Sequence, residues 1–245
     1  MGYCVRADSR CRGVRRKALT VSALLDTRGG NTKLGKTIRS ASDWRVAGLS
    51  LMPDDVLCPY RNKARCAAAC LQSAGRGVMP SVIEGRRRKA YLFHTDRPAF
   101  MLQLCDEIGR FERMCERQGV APAVRLNVIS DVRWELHGIP QAFPDVFFYD
   151  YTKQAHRLGK MPDNYGLVFS YSGAPEYQSS VRKALTTGAP IAVVFRDGLP
   201  LRFLDRQVID GDQSDLVNVN AGRVIVGLRA KGKAKDDVSG FVVDP

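Results

Sequence analysis

The second half of this chain is a succession of short apolar runs separated by segments with helical or loop character. The runs lack strict alternation of apolar and polar residues, which is typical of strands buried on both faces of a parallel sheet. They are VRLNVIS (124–130), VFFYDY (146–151), GLVFSY (166–171), IAVVF (191–195) and RVIVGL (223–228). This pattern predicts an α/β fold with a parallel sheet, in an incomplete TIM-barrel-like arrangement.

Helical segments precede and separate these runs. Residues 98–118 carry apolar side chains at steps of three and four, and Gly119 is suited to end the helix. Residues 81–92 predict a basic helix whose run Arg86–Lys89 forms its charged face, and residues 176–188 predict a further helix.

The chain divides into two regions by composition. Residues 1–18 are polar, basic and aperiodic, which predicts a flexible basic arm, whereas residues 19–245 predict a single α/β domain. No run of apolar residues is long enough for a membrane span, and the basic start lacks the apolar stretch of a secretory signal. We therefore expect a cytoplasmic protein.

Positive charge is concentrated at the front of the chain. The chain has a formal net charge of +13, and residues 1–90 contain 19 of its 38 Lys and Arg residues but 6 of its 25 Asp and Glu residues. Residues 91–245 are balanced. Such asymmetry is expected of a surface that contacts the phosphate backbone of DNA, although a solubilising basic face would look the same.

Several basic residues are candidates for DNA or substrate binding. Lys36 lies in Gly30–Thr37, whose glycine and lysine spacing fits a phosphate-binding loop but equally a basic loop that touches nucleic acid. The candidates are Arg86, Arg87, Arg88, Lys89, Lys36, Arg133 and Arg196.

Three cysteines lie close together in the region 51–78, which predicts a metal-binding segment. Cys58, Cys66 and Cys70 have the spacing C-x7-C-x3-C, which differs from that of a structural zinc ribbon. Three thiolates can hold Zn²⁺ with a fourth ligand such as His94, or a [4Fe–4S] cluster with one open iron. An open iron could bind S-adenosylmethionine and support radical chemistry. Burial of the cysteines in an alanine-rich helix is the structural alternative.

Ionisable residues follow the predicted strands. In parallel α/β folds the carboxyl ends of the strands carry the active site, so these residues are expected to meet at one opening. Asp131 is the leading candidate for a nucleophile or general base, and a helix N-cap is its alternative role. The full set of catalytic candidates is Asp131, Glu135, Asp150 and Lys153. Asp210, Asp212 and Asp215 suggest a divalent-cation loop or an Asp-rich turn.

The chain also resembles a known family. The strings GNTKLGKT, LCPYRNKARCAAACLQSAGRG, VRLNVISDVRWE, FFYDYTK, VIDGD and VGLRAKGKAKDDVSGFV, across residues 30–243, are similar to the "gene product 88" domain of phage and plasmid proteins. That resemblance implies a DNA-linked context on a mobile element.

Three functions are compatible with these features. The first is an enzyme that modifies a base in DNA, with a metal or iron–sulfur centre on the cysteines and an extruded nucleotide at the strand edge. The second is a radical enzyme that uses S-adenosylmethionine and an iron–sulfur cluster. The third is a non-catalytic DNA-binding protein in replication or counter-defence, in which the strand-edge acids would tolerate substitution.

Overall fold

The computed structural model describes residues 21–28 and 43–245. The fold is α/β and is built on one nine-stranded sheet, most of which is parallel. The strands are β1 (Leu25–Asp26), β2 (Trp44–Leu49), β3 (Ala121–Arg125), β4 (Phe147–Thr152), β5 (Tyr165–Ser170), β6 (Ile191–Phe195), β7 (Arg202–Phe203), β8 (Arg206–Asp210) and β9 (Ile225–Arg229). Each of the five apolar runs contributes a strand, so the predicted α/β fold is confirmed.

The strands are arranged in the order β1-β2-β3-β4-β5-β6-β9-β8-β7. Neighbours from β2 to β8 are parallel, while β1 and β7 pair antiparallel at the two edges. The described strands form an open sheet with no closed barrel. Strands β2 to β6 are neighbours in the sheet in the same order as in the chain, and each pair is parallel. The carboxyl ends of these strands therefore lie along one edge of the sheet.

The helices are α1 (Pro80–Thr95), α2 (Arg97–Gln118), α3 (Ile139–Ala142), α4 (Gln178–Leu185) and α5 (Asp215–Val219). The start of α2 is fixed by Asp96, whose side chain accepts a hydrogen bond from the backbone N–H of Ala99 at 3.1 Å. Its end is Gly119, whose φ of 64° is the left-handed conformation that glycine tolerates without strain.

The core has one layer on each face of the sheet. Alternate residues of a strand point to opposite faces, so Ala47 belongs to the large layer while its neighbour Val46 belongs to the smaller one. The large layer includes Phe100 and Leu104 of α2, and the smaller layer includes Leu216 of α5. Continuous apolar runs in the sequence are therefore explained by burial on both faces.

Two predictions concern residues outside the described ranges. The basic arm at residues 1–18 and the loop Gly30–Thr37, which contains Lys36, both lie there. No described helix combines the length and apolar character needed to traverse a bilayer.

Candidate functional site

Two adjoining cavities open at the carboxyl edge of the parallel strands. The larger has a volume of about 720 Å³ and the smaller about 160 Å³. The smaller one is lined by residues at or just after the ends of several strands, including Asp131, Lys153, Ser170 and Arg229. The two cavities share Leu71, Val128, Ile129, Asp212 and Lys231. The structure thus brings the strand-end residues together as the topology predicts.

The cysteine region follows β2 and folds over this edge. Its turns are closed by backbone hydrogen bonds, from the N–H of Cys58 to the carbonyl of Asp54 at 2.9 Å and from Cys66 to Arg61 at 3.0 Å. The backbone N–H of Asp131 donates to the carbonyl of Leu57 at 2.7 Å, which ties the region to the end of β3. These bonds hold an irregular segment in place without regular secondary structure.

Cys58, Cys66 and Cys70 all line the smaller cavity together with Asp131 and Lys153. Burial raises the pKa of the Cys58 thiol, and the neighbouring Asp131 carboxylate and Cys66 raise it further. Burial likewise raises the pKa of Cys70. The side chains of the three cysteines are therefore close enough to interact electrostatically, even though 12 residues separate the first from the last.

The geometry does not converge on one ion. Within residues 21–28 and 43–245, no group of three or more His, Cys, Asp or Glu side chains is placed so that it could hold a metal ion. His94, the expected fourth zinc ligand, is instead paired through Nε2 with Oδ2 of Asp54 at 2.8 Å. It lines neither cavity.

Lys153 brings a buried cation to the same cavity. Its residue is 7% exposed, and Nζ donates to the hydroxyl of Ser170 at 2.9 Å. The ammonium lies 4.7 Å from the centre of the Phe241 ring. A buried ammonium is unfavourable unless negative charge is close, and the Asp131 carboxylate lines the same cavity.

Asp131 is held by several donors. Oδ1 accepts hydrogen bonds from Thr152 Oγ1 at 2.8 Å and from Arg157 Nη1 at 2.9 Å, and Oδ2 accepts from the backbone N–H of Lys153 at 2.9 Å. Burial raises the pKa of this carboxyl, and the Arg157 guanidinium offsets only part of the rise. Asp131 therefore has a fixed orientation at the cavity wall.

Glu135 and Asp150 lie away from both cavities. Glu135 receives two hydrogen bonds from Arg157, through Nε at 3.0 Å and Nη2 at 2.8 Å. Asp150 is fully buried and accepts from Tyr165 Oη at 2.6 Å and from the backbone N–H of Asn127 at 2.7 Å. Burial raises the pKa of Asp150 to about 7. Both carboxylates support the loop that carries Asp131.

Asn127 and Arg157 organise this region, and sequence reasoning missed them. Asn127 Oδ1 accepts from Ser130 Oγ, from the backbone N–H of Val132 and from Trp134 Nε1 at 2.8–3.1 Å. Its signal was an amide inside the largely apolar run VRLNVIS, since a buried amide must find hydrogen-bond partners. Nothing in the sequence distinguishes Arg157 from other arginines.

The basic run on α1 does not form a single charged face, so that prediction is wrong. Arg87 and Arg88 are exposed, but Arg86 is 8% exposed and Lys89 is half-buried with Nζ donating to the carbonyl of Leu24 at 2.6 Å. Successive helical residues turn by about 100°, so four in a row cannot share one face. Arg86 and Lys89 line the larger cavity instead.

The two remaining basic candidates differ in accessibility. Arg133 is exposed. Arg196 is committed to the C-terminal segment, because its guanidinium donates to Asp244 Oδ1 and to the carbonyls of Lys235 and Asp237 at 2.8–2.9 Å. Its charge therefore fastens the end of the chain against β6.

The acidic segment after β8 forms ion pairs. Arg229 Nη1 lies 3.0 Å from Oδ2 of Asp210, and Lys231 pairs with Asp212. Asp215 accepts from Arg125 Nη1 at 2.5 Å and from the Tyr151 hydroxyl at 2.8 Å. All three carboxylates thus pair with cations of the chain, and Arg229 is shared by Asp210 and Asp212.

A family model described as Gene product 88 matches residues 22–245. No curated protein and no solved structure matches the chain.

Proposed function

The chain belongs to the Gene product 88 family, and from this premise we propose that it is an enzyme that modifies a base in DNA with an iron–sulfur cluster on Cys58, Cys66 and Cys70. The observation that carries the proposal is that all three thiols line one cavity with Asp131 and Lys153. The cavity lies at the strand edge where parallel α/β folds place their chemistry.

The arrangement of the thiols supports a cluster over a single zinc ion. Zinc requires its ligands to converge tetrahedrally on one point, and no described group of three ligands does so. A cluster binds each cysteine through a different iron, so its ligands stand farther apart around a larger body. The cavity that the three thiols share gives room for such a body.

The position of the cysteine region supports the same conclusion. It follows the first parallel strand, β2, and the next strands succeed it in consecutive order, as in part of a TIM barrel. A loop at this place reaches the mouth that the other strand ends surround. When bound, a [4Fe–4S] cluster with one open iron could bind S-adenosylmethionine and supply radical chemistry.

The chain's own residues would prepare this site in two ways. Lys153 is buried, and its ammonium would offset part of the negative charge of the three thiolates. Asp131, fixed by Arg157 and Thr152, keeps a carboxylate at the wall next to Cys58, where it can hold or accept a proton from a bound substrate.

DNA as the substrate is supported by charge and by family resemblance. The excess of Lys and Arg in residues 1–90, which include the exposed Arg87 and Arg88, suits contacts with the phosphates of DNA. A base inside a duplex cannot reach a cavity, so the enzyme would act on an extruded or single-stranded nucleotide.

Two measurements on the full chain test the proposal. Protein purified without oxygen should contain about four iron and four sulfide ions per chain and absorb visible light; zinc, or no metal, would overturn the cluster. DNA from cells that express the protein should contain a modified nucleoside by mass spectrometry, which should disappear with Cys66→Ser. Unaltered DNA from cells with cluster-loaded protein would overturn DNA as the substrate.

A further inference from the structure

The larger cavity contains a buried cation without a counter-charge. Arg86 is 8% exposed, and its guanidinium makes one hydrogen bond, from Nη1 to the carbonyl of Gly77 at 3.3 Å. Its Nε has no hydrogen-bond partner, and no carboxylate among the described residues lies within ion-pairing distance of it. A buried guanidinium is unfavourable unless negative charge lies close to it, so this position favours a ligand that carries an anionic group.

The other charges of the cavity do not supply that anion. Asp212 and Asp215 line the cavity, but Asp212 pairs with Lys231 and Asp215 pairs with Arg125. Asp26 also lines it and accepts a hydrogen bond from the backbone N–H of Arg28 at 3.0 Å. The acids are therefore occupied by contacts other than Arg86.

The shape and walls of the cavity indicate the size of the ligand. A volume of about 720 Å³ is in the range of pockets that hold cofactors and other small molecules. Leu71, Val82, Val128 and Ile129 give it an apolar side, while Ser81, Gln213 and Ser214 give it hydrogen-bonding groups. The N-terminal half of α1 also faces it, and the positive end of that helix favours negative charge.

We infer that the larger cavity binds a nucleoside-sized ligand that carries a phosphate or a carboxylate, and that Arg86 anchors the anionic group. The apolar wall packs against the base or other planar part. Because the two cavities share Leu71, Val128 and Ile129, the ligand adjoins the cavity of the cysteines. This site is separate from the exposed arginines of α1. The inference does not depend on whether the cysteines bind a cluster.

The test is isothermal titration of the full chain with AMP, S-adenosylhomocysteine and uncharged adenosine. AMP offers a phosphate and S-adenosylhomocysteine a carboxylate, so the tighter of the two identifies the anionic group. At least one should bind more tightly than adenosine, and Arg86→Gln should weaken it by about tenfold or more. Arg182→Gln, at an exposed position of α4 that lines neither cavity, is the matched control and should change affinity by less than about twofold. Equal effects of the two substitutions, or no preference for an anionic probe, would overturn the inference.

A second variant covers the case in which Arg86→Gln does not fold. Gly85 lines the cavity on α1, and a Cβ atom added there meets nothing within 4 Å. Gly85→Leu therefore places an apolar side chain in the cavity next to Arg86, without a clash at Cβ, and replaces glycine by a better helix former. It should weaken binding of the anionic probe while the protein stays folded by circular dichroism. Unchanged binding to folded Gly85→Leu would also refute the site.

Discussion

Nη1 of Arg157 donates to Oδ1 of Asp131 at 2.9 Å, and both side chains are almost completely buried. The same guanidinium reaches Glu135 through Nη2 at 2.8 Å, so one cation compensates two carboxylates. The two partners come from the loop after β3 and from the segment after β4. Their pairing locks the two strand ends together and sets the orientation of the carboxylate at the cavity wall.

Removing this cation should be strongly destabilising. Arg157→Met keeps most of the side-chain volume but leaves Asp131 buried without its partner, which costs about 3–5 kcal/mol. Urea unfolding followed by fluorescence should show the loss as a lower midpoint. Arg133→Met, at an exposed position on the loop after β3, is the control and should change stability little; similar losses for both would contradict this account.

The three cavity cysteines should act as one unit. We expect Cys58→Ser, Cys66→Ser and Cys70→Ser each to abolish or greatly reduce iron binding, because a cluster with a missing thiolate is poorly held. Iron content and visible absorbance measure the effect. Cys115→Ser, at a buried position of α2 outside both cavities, should lower stability and leave iron content per folded chain unchanged. Retained iron in all three cavity variants would place any metal elsewhere.

DNA affinity should depend on the exposed arginines of α1. The double substitution of Arg87 and Arg88 by Gln removes up to two phosphate contacts, so the slope of log affinity against log salt should fall by up to about 1.8 on duplex DNA. Fluorescence anisotropy over a salt series gives this slope. The double substitution of Arg182 and Lys183 by Gln, at two exposed positions of α4, is the charge-matched control on a different helix. An unchanged slope in the double variant would exclude this part of α1 from the DNA surface.

The stability of the folded chain should fall as pH rises from about 4 to about 7 because of Asp150. Burial raises its pKa from 3.8 to about 7, so the folded state retains a proton that the unfolded state releases. The contribution is present below about pH 4 and is lost by about pH 7, and it amounts to about 4 kcal/mol.

Unfolding free energies measured between these pH values check the effect. Asp150→Asn should remove most of this pH dependence, whereas Asn at the exposed Asp145 should leave it as in the wild type. A pH profile that is the same for all three proteins would show that Asp150 does not titrate in this window.

The turn that carries Asp212 should not tolerate a side chain at Gly211. A Cβ atom there would lie 2.3 Å from Cγ1 of Val226 on β9, so Gly211→Ala must push the turn away at a cost of about 1–3 kcal/mol. Gly188→Ala is the control, since its added Cβ meets nothing within 4 Å. Thermal unfolding should separate the two, and equal melting temperatures would mean that the turn moves freely.

The sequence by itself determined the α/β class, five of the nine strands of the described sheet and its three longest helices. The spacing of apolar residues along the chain sets which local structure can bury them. A continuous run such as IAVVF suits a strand buried on both faces, and steps of three and four in residues 98–118 suit a helix. Because parallel strands share one carboxyl edge, the same pattern was sufficient to predict that Asp131 and Lys153 would meet.

Only the tertiary structure decided which charges are free. Arg86 and Arg88 are nearly adjacent in sequence, yet one is buried at a cavity and the other is exposed, because helix rotation and packing set burial residue by residue. Arg157 pairs with Asp131 across 26 residues, and His94 with Asp54 across 40. Ion pairs between distant segments depend on distances in space, and a sequence read along one dimension does not contain those distances.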